Sequence, residues 1–164
     1  MSETDSVLKE IKLSKDGVFD LDSLYKLIKD WIDFHKYDFY ERNYSDIFKG
    51  DSKDIKVKFE TEKKFDSYVK YKIDISLSVK DHRIVLSADK KKKLVKGNLS
   101  IGIEANIESD YGENWEGNPM KKFIRGVYDK FIEGDKRANI QEELKEEAYS
   151  LFNELKAFLN LQRF

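Results

Sequence analysis

Apolar side chains recur at every second position through most of residues 54–109, and no other property of this chain restricts its fold so strongly. Ile55, Val57 and Phe59 alternate with charged residues. Val69, Tyr71, Ile73, Ile75, Leu77 and Val79 continue the pattern, followed by Leu99, Ile101, Ile103, Ala105 and Ile107. A period of two places one face of each strand in the core and the other in water. Turn-like segments at 64–67, 80–83 and 89–97 separate the runs, with 84–88 as a shorter strand between the last two. Residues 7–13 and 37–44 read as further strands, and 48–52 as a connecting loop. Such an antiparallel sheet needs an apolar cover on its inner face.

The flanking segments supply that cover. Asp20 stands where an N-cap belongs, with Phe19 before it and Leu24 at the position of a hydrophobic-staple partner. Leu21, Leu24, Tyr25, Ile28, Trp31, Ile32 and His35 then share one side at helical spacing. Asn118 followed by Pro119, the one proline, marks a second helix start. Its stripe runs Met120, Phe123, Ile124, Val127, Tyr128, Phe131 and Ile132 to a stop at Gly134. Ile140, Leu144, Ala148, Leu151, Phe152, Leu155, Phe158 and Leu159 predict a last helix of about 20 residues, about 30 Å long. The expectation is one α+β domain over residues 1–164, with 1–6 frayed. It has five or six antiparallel strands and three helices packed on one sheet face.

Composition removes several functions. There is no cysteine, hence no disulfide, thiolate zinc site or cysteine nucleophile. The 31 basic and 32 acidic side chains leave a net charge of −1, which favours neither nucleic acid nor an anionic surface for the chain as a whole. The first residues are polar and acidic, and no apolar run approaches the roughly 18 residues of a membrane span. The chain reads as a cytoplasmic protein.

Catalytic templates fail on inspection. Residues 97–103 come nearest to a P-loop, but Ile103 stands where lysine is needed, and Ser100 lies inside a strand rather than on a nucleophile elbow. His35 reads as a packed ring or partial cation at a helix end, and His82 as an exposed turn residue. Asp110, Glu113 and Glu116 form an acidic loop without metal-ligand spacing, so neither a metal nor a cofactor is expected. Trp115 is a large apolar side chain in that polar loop, next to the helix start at Asn118. It is the first candidate for ligand or partner contact. Trp31, Phe123 and Phe152 join it as inward-pointing rings that either interlock or line a cavity. Lys90, Lys91, Lys92 and Lys93 form a basic hairpin tip able to meet phosphates, but no aromatic residue lies near them in sequence.

Residues 115–131, reading WEGNPMKKFIRGVYDKF, together with LKAFLN at 155–160, resemble a group of short, lysine-rich archaeal proteins without known activity. That resemblance implies a cytosolic protein and carries over no site residue. A curved antiparallel sheet gripped by a long C-terminal helix is also similar in outline to helix-grip folds, which bind lipids or apolar small molecules. Architecture alone does not establish function. The expected function is a non-catalytic interaction or structural module with a protein partner or a second copy of itself. The first alternative is a carrier holding an apolar small molecule between sheet and C-terminal helix, and the second is weak nucleic-acid binding at the lysine tip.

Overall fold

A computed structural model of the chain describes residues 3–66, 68–109 and 135–161. In chain order these form β1 (Glu3–Phe19), α1 (Leu21–Phe34), β2 (Asp38–Lys49), β3 (Ser52–Lys64), β4 (Val69–Leu86), β5 (Lys93–Ser109) and α2 (Asp135–Leu161). The strands make one five-stranded sheet in the order β1-β5-β4-β3-β2, antiparallel at every pairing. The fold is α+β, with two helices among the described residues. The helix expected at 119–132 lies outside them.

The alternation pattern decides which sheet face is covered. Ile73, Ile75 and Ile103 have no exposed area and Ile101 has 1%, while Lys72 on the opposite face ion-pairs with Glu108 at 2.9 Å. The α2 stripe Ile140, Leu144, Ala148, Leu151, Leu155 and Leu159 is buried against this layer, and the helix lies along β1, β5 and α1. At 27 residues α2 is longer than expected, about 40 Å. Helix α1 begins as expected: the Asp20 carboxylate accepts the Ser23 backbone N–H at 3.0 Å, and Leu24, Ile28, Trp31 and Ile32 are buried. It also links the two edge strands. Five strands about 4.8 Å apart span about 19 Å from β1 to β2. Fourteen helical residues reach about 21 Å.

Residues 3–6 are not frayed, for Glu3 to Ser6 pair with β5 opposite Ser109 to Asn106. The imperfect apolar alternation of residues 7–13 has its cause in two register shifts, between Ser6 and Leu8 and between Leu8 and Ile11. Residues 80–83 are not a turn. They are a bulge inside β4, with Asp81 at φ 54° and its backbone N–H donated to the Asp54 carboxylate at 3.1 Å. Gly97 lets the neighbouring strand pass close by, since a Cβ there would stand 2.7 Å from the Lys80 carbonyl oxygen. Residues 84–86 therefore continue β4, and 93–96 already belong to β5.

The expected loop at 48–52 tightens to a two-residue turn, with Lys49 paired to Ser52 and Gly50 at φ 64° in the first central position. The turn after β3 is held by the Asp66 carboxylate, which accepts the N–H groups of Tyr68 and Val69 at 2.8 and 2.7 Å.

Candidate ligand groove and the ring stack beside it

Helices α1 and α2 leave between them an open groove of about 750 Å³. Its floor and walls come from Leu27, Trp31, Phe34 and His35 on α1 and from Phe158 on α2, with Lys26, Asp30 and Glu154 at the polar margins. Residues 27, 31 and 34 stand three or four apart, so one helical stripe presents all of them. Phe34 is 82% exposed, whereas Trp31 is only 3% exposed. Among the described residues the Trp31 Nε1–H meets no acceptor. A buried indole N–H is normally paired, and leaving it unpaired costs about 1–3 kcal/mol. Trp31 stacks on His35 at 4.0 Å and on Tyr37 at 5.7 Å. His35 Nδ1 lies 3.0 Å from the Trp31 carbonyl oxygen, so Nδ1 carries the proton and donates, which fixes the ring over the helix end.

The stack ends in a polar cluster under α2. The Tyr37 hydroxyl donates to Glu147, and the Lys63 ammonium reaches the two oxygens of the same carboxylate at 2.8 and 3.1 Å. Lys63 also lies over the rings of Tyr37 and Tyr71, 4.6 and 5.8 Å from their centroids. Burial, reinforced by Glu147 for Tyr37 and by Glu143 for Tyr71, raises both hydroxyls well above the ordinary tyrosine range. Both are therefore proton donors at neutral pH and neither is a base. The Glu147 charge is matched by Lys63, so the cluster fastens α2 to β3 and to Tyr37, which directly precedes β2.

On the opposite sheet face Glu60, Asp74 and Glu104 stand in register on β3, β4 and β5. Arg42 pairs with Glu60 at 3.0 Å, and Lys70 joins Glu62 at 3.0 Å and Glu108 at 3.6 Å, as the alternation of opposite charges leads one to expect. Asp74 departs from that solvated picture. Its pKa is pushed up to about 6, first by burial from water and then by Glu104 and Glu60, against the pull of Lys58. A carboxyl that binds its proton more tightly when folded makes stability fall as pH rises from about 4 to about 6. Asp74→Asn removes that penalty. It is expected to stabilise the protein by about 2 kcal/mol at pH 7 and by almost nothing at pH 4, as read from urea unfolding at both values.

The sequence-derived candidates meet different fates. Trp31 lies in the groove wall, and Phe152 is half-buried against the core. Trp115, Asn118 and Phe123 lie outside the described residues. Lys90, Lys91, Lys92 and Lys93 are exposed at the β4–β5 tip, where Lys92 is ion-paired with Asp20 at the α1 N-cap. His35 packs as a ring. His82 is not exposed as expected but 8% accessible, because the β4 bulge carries it into register with Lys53. Its pKa is lowered by burial and by the Lys53 charge. Among the described residues no cluster of three or more His, Cys, Asp or Glu side chains is able to hold a metal. None of the described helices is long and apolar enough to cross a membrane.

Sequence reading missed Phe34, an exposed ring at the end of α1 that lies outside the buried stripe. It also missed Phe48, which the register of β2 on β3 and of β3 on β4 brings beside His82, Arg83 and Ile84. No protein-family model matches this chain, and no curated protein matches it either.

Proposed function

We propose that this protein is a non-catalytic binding module whose ligand occupies the groove between α1 and α2. The ligand is a planar apolar group carrying a hydrogen-bond acceptor. The unpaired Nε1–H of Trp31 carries this reading, since a buried donor beside an open apolar groove is satisfied only when an acceptor arrives. The exposed Phe34 ring and Leu27 give such a ligand an apolar seat, with Lys26, Asp30 and Glu154 around its polar margin. A ring from a partner protein meets the same requirements as a free small molecule.

The sheet order and the long C-terminal helix support a likeness to helix-grip architecture. They do not favour a carrier with its cargo between sheet and helix. Ile73, Ile75, Ile103, Leu144, Ala148, Leu151 and Leu155 have no area open to a water-sized sphere, so no ligand-sized void touches them.

The test uses 1-anilinonaphthalene-8-sulfonate, an aromatic anion with sulfonate acceptors, and a Trp115→Phe background in which Trp31 is the remaining indole. Saturable binding with energy transfer from Trp31 is expected. Phe34→Ala and Leu27→Ala should each weaken it about tenfold, a loss of roughly 1.4 kcal/mol. Binding that is unsaturable, or unchanged in both variants, refutes the groove as the site.

A further inference from the structure

The β4–β5 hairpin runs beyond the rest of the sheet. Strand β3 ends its pairing with β4 at Lys53 opposite His82, so among the described residues Arg83 to Leu86 pair with β5 alone. Ile84 and Leu86 fall on one side of this extension and are 64% and 57% exposed. Phe48, 73% exposed at the neighbouring β2–β3 turn, shares a shallow depression of about 380 Å³ with Ile84. Large apolar side chains placed together at one end of a sheet, rather than scattered singly, mark a contact surface.

The charge of the same end identifies the contact. Residues 80–96 carry seven lysine or arginine side chains against Asp81 and Asp89, and the β2–β3 turn beside them adds Lys49 and Lys53 against Asp46, Asp51 and Asp54, so this end stays basic in a chain whose net charge is −1. We infer that this end of the sheet docks on an anionic lipid surface, with Phe48, Ile84 and Leu86 entering the headgroup region and Lys90, Lys91 and Lys93 bound to lipid phosphates, Lys92 being held by Asp20. Stacking along a nucleic acid wants several flat rings, whereas Phe48 is the one ring beside the aliphatic Ile84 and Leu86, which add nothing to phosphate binding. They do add to partition into a bilayer interface, where each nearby lysine contributes about a fivefold gain on an anionic surface. This inference is independent of the α1–α2 groove.

The experiment is co-sedimentation of the full chain with vesicles of phosphatidylcholine containing about 30% phosphatidylglycerol, beside vesicles of phosphatidylcholine alone. Binding to the anionic vesicles only, weakened by salt, is expected. Replacing Lys90, Lys91, Lys92 and Lys93 by Ser should lower the partition coefficient at least about a hundredfold. The triple variant Phe48→Ser, Ile84→Ser, Leu86→Ser leaves the net charge unchanged and touches only exposed positions, so the fold is kept, and it should lower partition at least about tenfold. Failure of the wild type to bind anionic vesicles overturns the inference. So does full binding by the triple variant, which reduces the tip to a plain electrostatic patch. A low-salt shift of duplex or single-stranded nucleic acid without vesicle binding assigns the tip to nucleic acid instead. Loss of solution dimers in the triple variant without vesicle binding assigns it to a second copy of the chain.

Discussion

Glu147→Ala is expected to destabilise the protein by about 3 kcal/mol, because it strands two partners at once. The Lys63 ammonium loses bonds of 2.8 and 3.1 Å, and its side chain is only 23% exposed, over two aromatic rings. The buried Tyr37 hydroxyl loses its acceptor, and the hydroxyl is held too far above neutral pH to shed its proton instead. Lys63→Met in the same chain should restore much of the loss, since an apolar pair leaves no orphaned charge. Glu147→Gln, which keeps an acceptor for Tyr37 but no charge for Lys63, should fall between. Urea unfolding of these proteins, with Lys63→Met alone to complete the cycle, gives the coupling. A Glu147→Ala protein within about 0.5 kcal/mol of wild type would mean that the cluster does not fasten α2 to the sheet.

Leu151→Ala should cost a similar amount, about 3 kcal/mol. Leu151 has no exposed area and sits in the buried α2 stripe between Ala148 and Leu155. Truncation removes its transfer energy and leaves a void that close-packed neighbours only partly fill. Phe152, the next residue, is half-buried on the flank of the same helix, so Phe152→Ala should cost about half as much despite its larger side chain. Equal losses at the two positions in denaturant titrations would show that the helix is seated differently on the sheet.

These two expectations rest on features that differ in how well the sequence showed them. The α2 stripe was legible because Leu144, Ala148, Leu151 and Leu155 repeat at helical spacing, and a stripe of that kind has to be buried. The Lys63–Glu147 pair was not, since it joins residues 84 apart and depends on where α2 crosses β3. Strand existence was similarly clear from alternation. The β4 bulge was hidden because Asp81-His82 resembles turn chemistry, and only the pairing of Lys80 with Asn98 and of Arg83 with Lys96 shows the strand continuing through it. In the groove, Trp31 was legible as a buried ring on the α1 stripe. What sequence could not supply was α2 lying beside α1 without covering Phe34, which turns an ordinary helical stripe into an open site. The exposed end of the sheet was half legible: the lysine run is plain in the sequence, whereas the approach of Phe48 is a matter of register.

The pairing of β1 with β5 also sets the order in which this chain can assemble. Strands β2 to β5 form a meander joined by short turns and need only local encounters. Strand β1 must instead find a partner roughly 75 to 105 residues away, with Phe19 opposite Val95 and Glu3 opposite Ser109. Closing so long a loop is entropically slow, so the meander forms first and the arrival of β1 limits the folding rate. Until then the outer edge of β5 is a row of unpaired backbone groups beside Leu99, Ile101 and Ile103, open to a strand from any other chain. Nascent chains of this protein are therefore most prone to self-association in that interval, and a shortened β1 would prolong it.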